Sequence, residues 1–313
     1  MPFKKKRKKE IIFILGPTGV GKSETAVYLA KIIGAEIISC DSMQIYKGLK
    51  IISAHPKVGL LKRVKHHLLG VIPLSSEYNA SLFRKDALKK IKDIHKKGRI
   101  PLVVGGTGLY SSILIDGIFQ CKAQDKRIRD KFYRIALSKG SKYLHDRLKR
   151  RDPLAAKKIH FNDTRRIVRA LEVFEITGKP ITLLQSKRRG LRDKYDIKVF
   201  CLNMPKDELY NRINNRVEKM FKSGLVSEVK GVLNKKLSKT VSSVIGLKEV
   251  EGFLRGEYSK DEAKEALKLN TRHYAKRQLT WFRKDKSIVW INLSANQKPK
   301  DTVKQILSYI ERQ

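Results

Sequence analysis

The sequence predicts an α/β fold: a parallel sheet flanked by helices, with an all-helical domain inserted into it. Three observations predict it. Short apolar runs alternate with helical periodicity in the first 120 residues, which is how a sheet covered on both faces reads. The first of those runs, IIFIL (Ile11 to Leu15), leads straight into GPTGVGKS, a fit to G-x-x-x-x-G-K-[ST] in the strand-to-helix setting where that pattern has a mechanism. From Gln120 to Asp193 strand-like runs cease and helix follows helix, dense in Arg and Lys. The core is therefore expected to be P-loop NTPase-like.

Each element follows in order. Gly16, Pro17, Thr18, Gly19, Val20, Gly21, Lys22 and Ser23 form a loop whose amides turn inward on a phosphate, with Lys22 as a mobile cation and the Ser23 hydroxyl as a ligand for Mg²⁺ at a helix N-terminus. The helix SETAVYLAKIIG ends at Gly34, and AEIISCD reads as a second strand ending in Asp41. A second helix, SLFRKDALKKIKDIHKKG, puts Phe83, Ala87, Leu88, Ile91 and Ile94 on one side; it hands over to RIPLVVGGTG, a strand ending in a glycine turn. YDIKVFCLNMP returns to strand character from Tyr195, a long helical tail runs through Trp281, and SIVWINL precedes a final helix. The expected organisation is a disordered basic arm (1–9), the first part of the core (10–119), the helical insertion (120–193), and the rest of the core with C-terminal helices (194–313). Ligands on such sheets gather at the carboxyl ends of the strands. Ser23, Asp41 and Thr107 all follow strand ends and are expected to converge.

Composition narrows the partners. The 70 Lys and Arg against 30 Asp and Glu leave a net charge of +40, a self-repulsion that a polyanionic partner relieves, and nucleic acid is the commonest one in cells. No apolar run reaches membrane-spanning length, so no membrane partner is expected. Cys40, Cys121 and Cys201 lie far apart, which suits a reducing, cytoplasmic setting and argues against zinc or disulfides.

An ATPase or kinase would carry an acid at the end of a second apolar strand to hold Mg²⁺. Here Pro101 to Val104 ends in GGTG, and the nearest carboxylate is Asp41 in DSMQIY. Asp41 is thus either a metal ligand, as in a small-metabolite kinase, or a general base on an acceptor. Ser42 and Gln44 beside it offer donors and acceptors suited to a base edge, which favours the second reading.

Taken together, GPTGVGKS, ISCDSMQIYKGLKI, GGTGLY, DTRRIVRALEVFEITGKP and TRHYAKRQLTWFR, in this order and spacing, resemble the tRNA dimethylallyltransferases. The resemblance spans about Ile11 to Trp290. It implies transfer of a dimethylallyl group from dimethylallyl diphosphate to the N6 amine of the adenosine just 3′ of the anticodon, in tRNAs reading codons that begin with U. It implies Asp41 as the base, Arg216 as a cation on the departing diphosphate, Thr107 as a contact to the target nucleotide, and Mg²⁺ at Ser23. For tRNA it implies the Asp41, Ser42, Met43, Gln44 loop, Arg129, and the stretch Arg165, Arg166, Ile167, Val168, Arg169. On the helix after Asp163, Ile167, Leu171 and Phe174 share one face, with Arg165, Arg169 and Glu172 nearly opposite. On the C-terminal helix, Ala263, Leu267, Asn270, Tyr274 and Trp281 are expected to be buried, with Lys268, Arg272 and Lys276 on the far side. Relatives read I-G-Y and I-G-T-A-K-P where this chain has IGL (Leu247) and IISAHP (Ile52, Ser53). A monomer is expected. The rival activities are prenylation of free adenylate, which needs little RNA surface, and phosphorylation of a small metabolite; a protein that binds RNA without catalysis is a third reading.

Overall fold

The computed structural model describes residues 8–119, 125–294 and 296–311; most of the expected basic arm, and Cys121, lie outside them. The chain divides into two compact units, one made of the segments up to Ile115 and from Lys194 onward, the other of Asp116–Asp193.

The first unit opens with β1 (Glu10–Leu15), α1 (Lys22–Ile32), β2 (Ala35–Ser39), α2 (Val58–Leu61), β3 (His66–His67), α3 (Ala80–Lys96), β4 (Ile100–Gly105) and α4 (Gly108–Asp116). The strands are ordered β3-β2-β4-β1 so far, and all pairings are parallel. β1 is central and buried from Ile11 to Leu15, as an apolar run without alternation requires. The two-residue strand β3 gives no periodic signal in the sequence. Its pairing with β2 is reinforced by a side chain: buried Glu36 of β2 meets His67 at 2.6 Å and Arg99 at 3.1 Å.

The second unit is helical: α5 (Lys126–Arg151, kinked at Gly140), α6 (Pro153–Lys158), α7 (Thr164–Thr177) and α8 (Ile181–Ser186). Its core joins Phe132, Leu144 and Leu148 to Ile167, Val168 and Leu171. Asp163 caps α7, its Oδ1 accepting from the Arg166 N–H at 3.0 Å, as an N-cap residue should.

Glu172 is the departure from periodicity. It is fully buried rather than on the outer face, and its carboxylate accepts from Arg129 Nε at 2.9 Å, Arg169 Nη1 at 2.7 Å and the Asp125 N–H at 3.1 Å. Burying a carboxylate in a core is tolerated only where donors surround it. Removing it takes this acceptor from the Asp125 amide and from two cations, so Glu172→Ala is expected to cost about 3 kcal/mol, near the lower bound for breaking a buried pair, because both arginines can still turn to water. Urea unfolding of the variant measures this; unchanged stability would show that the network does not hold α5 to α7.

The chain returns to the first unit with β5 (Asp196–Asn203), α9 (Lys206–Lys222), α10 (Leu225–Leu233), α11 (Leu247–Leu254), α12 (Lys260–Phe282), β6 (Val289–Asn292) and α13 (Pro299–Glu311). β5 pairs with β1 and β6 with β5, both parallel, completing the order β3-β2-β4-β1-β5-β6. One large core packs Ala26 and Leu29 of α1, Leu209 and Ile213 of α9, and Val303 and Ile306 of α13 with the strands. The α12 stripe differs from expectation. Trp281 is exposed and Asn270 lies at the surface, bonded to Glu249, whereas Gln278 is buried. Lys268 and Arg272 do not form an open basic row; Lys268 meets Glu218 at 2.7 Å, and Arg272 donates to Asn214 and covers the Tyr210 ring.

Candidate active site

The phosphate loop bridges β1 and α1. At Gly21, the residue capping α1, φ is 97°, a backbone state that an L side chain resists. It turns the first amides of α1, which have no intrahelical acceptor, toward the space above the strand ends. Lys22 Nζ donates to the Pro17 carbonyl at 2.7 Å across the loop. Burial, with the nearby Arg216 charge adding to it and Asp41 opposing, pushes the Lys22 pKa down to about 8.

Asp41 stands just past the end of β2. Its Oδ1 accepts from the backbone N–H groups of Met43 at 2.9 Å and Gln44 at 3.3 Å, an arrangement that a short acidic side chain forms with its own loop. Oδ2 makes no hydrogen bond among the described residues. The following segment is tied down from two directions. Glu228 of α10 accepts from the N–H groups of Lys50, Ile51 and Ile52 at 2.8 to 3.0 Å. Gln44 donates its amide to the Ser53 and Ala54 carbonyls and accepts from Ser39. That holds Ala54 at φ 51°, an uncommon state for a residue with a side chain. The Gln44 amide is therefore committed inside the protein, and its use on a base edge would require those bonds to break.

The turn after β4 completes the floor. A Cβ at Gly105 would lie 2.0 Å from the Cys40 carbonyl oxygen, so the strand end can pass the Asp41 loop only as glycine. Thr107 donates its N–H to Cys40 O at 3.3 Å, and its Oγ1 accepts from the Ser42 N–H at 3.2 Å. Tyr274 of α12 lines the same cavity as Asp41. Burial, with the Asp41 charge, raises the Tyr274 pKa far beyond the usual phenol range. Cys40 beside Asp41 is driven the same way by burial, which leaves it no role as a thiolate.

From the opposite side, α9 presents Arg216, whose Nη1 donates to Thr18 Oγ1 at 3.0 Å. Desolvation lowers its pKa, and Asp41 opposes that shift. Lys22, Ser23, Asp41 and Arg216 line one cavity of about 710 Å³. Thr107 is attached to its wall through Ser42. Ser23 and Asp41 thus meet at one cavity with Arg216, which comes from a helix far along the chain, whereas Thr107 is held behind Ser42 and is not among the lining residues.

With respect to metal, among the described residues no three His, Cys, Asp or Glu side chains gather. The Ser23 hydroxyl lines the cavity and has no protein hydrogen bond there. A hydroxyl beside a phosphate site, with Asp41 across it, fits a Mg²⁺ ion that takes most of its ligands from water and phosphate.

Residues 44–285 match the family described as IPP transferase. The chain belongs to the tRNA dimethylallyltransferase family. A tRNA dimethylallyltransferase of Geobacter sulfurreducens is 45% identical over 92% of this chain and 94% of its own, and one of Carboxydothermus hydrogenoformans is 43% identical over 95% and 96%. Among solved structures, the full-length tRNA isopentenylpyrophosphate transferase of Bacillus halodurans superposes with a TM-score of 0.71 at 36% identity, covering 97% of this chain and 96% of that one. A eukaryotic dimethylallyltransferase captured acting on tRNA gives 0.81 at 29% identity, over 97% and 80%.

Within this dimethylallyltransferase chain, the remaining expected residues fall as follows. Arg165 and Arg166 are exposed on α7, with Arg166 paired to Asp163. Arg169 and Arg129 are half-buried against Glu172. The side chains of Ile167 and Val168 are in the core of the helical unit, so they are not surface contacts. Leu247 and Ile52 are buried too, which makes both departures from the family pattern changes of packing. Sequence reading passed over Gln278, Glu228 and His55. The last lines the cavity with its Nε2 unpartnered among the described residues, and burial lowers its pKa. Among the described residues no helix is long and apolar enough to cross a membrane.

Proposed function

We propose that this protein transfers the dimethylallyl group of dimethylallyl diphosphate to N6 of adenosine-37 in tRNA, and that Asp41, Thr107 and Arg216 carry the reaction. The observation that supports this most is the pairing of one carboxylate, Asp41, with a phosphate loop and Arg216 around a single cavity. The phosphate loop, Gly16 to Ser23, holds the diphosphate through the backbone N–H groups it leaves open and the Lys22 ammonium. The exocyclic amine of adenine is a poor nucleophile because its lone pair is delocalised into the ring. As it attacks the allylic carbon, the C–N bond forms, the C–O bond to diphosphate breaks, and the proton leaves N6 for Asp41. Negative charge grows on the departing oxygen and meets Arg216 and Lys22, already in place. Mg²⁺ at Ser23 would supply further neutralisation of the diphosphate.

The acceptor base must leave its stack to reach Asp41, at a cost of a few kcal/mol. Arg129, Arg165, Arg166 and Arg169 supply phosphate contacts that offset it, and the Asp41 to Gln44 loop with Thr107 receives the base. Incubation with Mg²⁺, labelled donor and, separately, unmodified tRNA, AMP and ATP tests the assignment. Label is expected in tRNA; label in AMP alone, or hydrolysis of ATP without transfer, would replace it with the corresponding rival.

Lys22 adds a pH dependence with a defined sign. Below pH of about 8 the free protein carries the Lys22 charge, and above it the charge is lost. A bound diphosphate raises that pKa, so binding takes up a proton between the two values. Affinity for inorganic pyrophosphate is therefore expected to fall as pH rises past about 8, by up to about tenfold per unit relative to Lys22→Arg, which stays charged. Calorimetry in buffers of different ionisation heat reads both the affinity and the proton; equal pH profiles for the two proteins would overturn it.

A further inference from the structure

Gln278 has no part in the chemistry above, yet it is the polar residue at the centre of the site's framework. It sits on the buried face of α12, 5% exposed, among Ala275 and Phe282. Its Oε1 accepts from the Thr18 N–H of the phosphate loop at 2.9 Å, and its Nε2 donates to the Gly106 carbonyl after β4 at 2.9 Å. A Cβ at Gly106 would fall 2.1 Å from that Nε2, so the glycine backbone is cut to fit this amide. One more bond on each side reaches the reacting groups. Thr18 Oγ1 receives Arg216 at 3.0 Å, and Thr107, next to Gly106, receives the Ser42 N–H at 3.2 Å beside Asp41.

We propose that Gln278 is a positioning residue of the transfer reaction: its amide clamps the phosphate loop to the Gly105 to Thr107 turn and so sets the leaving-group cations against the base. The proposal rests on the function given above. Two substrates held on separate loops react at a rate that depends steeply on their relative placement. A clamp between the phosphate loop and the turn after β4 acts on that placement. Only a side chain with a donor and an acceptor on one short rigid group can serve both backbone atoms, and glutamine is one.

The test uses the full-length protein and two variants. Gln278→Met keeps the volume and removes both hydrogen bonds. Gln278→Glu keeps the bond from Thr18 and sets a carboxylate oxygen against the Gly106 carbonyl. For Gln278→Met, kcat is expected to fall about tenfold to a hundredfold, the equivalent of one or two buried hydrogen bonds. Dissociation constants for pyrophosphate and for an anticodon stem-loop, each measured alone, are expected to stay within about threefold. For Gln278→Glu, kcat is expected to fall further and pyrophosphate binding to weaken. Hydrogen exchange supplies a readout independent of turnover: the Thr107 amide, which Gln278 does not touch, is expected to exchange faster in Gln278→Met. A kcat within twofold of the parent, a loss confined to the affinity of one substrate, or unchanged Thr107 protection in whichever variant folds would overturn the clamp. A parent that transfers nothing to tRNA while its Thr107 exchange still responds to Gln278→Met would leave the clamp standing and remove the functional reading.

Discussion

Asp41→Asn is expected to lower prenyl transfer to tRNA by about a thousandfold, within the range by which a positioned general base accelerates a reaction, while the affinity for the diphosphate stays the same or tightens. The substitution is nearly isosteric. An asparagine carbonyl can still accept from the Met43 and Gln44 amides that hold Oδ1, so the loop keeps its shape. What changes is the second oxygen: an amide nitrogen there cannot take a proton. The same substitution removes a negative charge that lies close enough to act on Lys22 and Arg216, so an incoming diphosphate meets less repulsion. The rate is thereby expected to fall with no loss of diphosphate affinity, a pattern that general damage does not produce. Single-turnover transfer from labelled donor, with calorimetry of pyrophosphate binding, measures both. Transfer at the parent rate would remove Asp41 from the mechanism.

Arg216→Gln is expected to cut kcat by about a hundredfold to a thousandfold, the scale of losing one fixed donor aimed at developing charge. The guanidinium is already anchored on Thr18, so little reorganisation is needed when the C–O bond lengthens, and its charge acts in a poorly solvated cavity. Glutamine reaches less far and carries no charge. The loss should appear in kcat and in kcat/KM for the donor, with affinity for the tRNA stem-loop unchanged, since the diphosphate end is where Arg216 acts. Rapid-quench kinetics against donor concentration distinguish this. A change confined to stem-loop binding would reassign the residue to the RNA.

The parts of this molecule that were legible in its sequence are those whose cause is local. The phosphate loop declares itself because strand, glycines, Lys22 and Ser23 follow one another without a gap. β1 and β4 do so because strands buried on both faces must be apolar almost throughout, and β5 through its buried run Val199 to Leu202. Where the cause lies far along the chain, periodicity misleads. Glu172 falls on the polar side of its helix by spacing, yet the arginines of two helices draw it into the core. Gln278 bonds to a residue 260 positions away, and its only local trace is a polar side chain in the buried register of α12. β3 is too short for any pattern, and its pairing with β2 is reinforced by Glu36. Arg216 lies on an amphipathic helix like many surface arginines; only the fold brings it to Thr18. A further loss of signal comes from Gln44, whose free-looking amide is spent on its own loop.

The close passage of Gly105 beside Cys40 bears on which bond this site can break. A hydrolase or kinase built on a phosphate loop needs an acid at the neighbouring strand end to set a metal and an attacking group in line with phosphorus. Here the neighbouring strand ends where even a methyl group collides with backbone. With phosphorus unapproached from that direction, the proposed reaction uses the carboxylate that remains, Asp41, on a nucleophile arriving at carbon. The phosphates then change roles, from the centre under attack to the group that departs intact. In the proposed reaction a fold whose ordinary use is to spend a phosphoanhydride treats the diphosphate only as a handle.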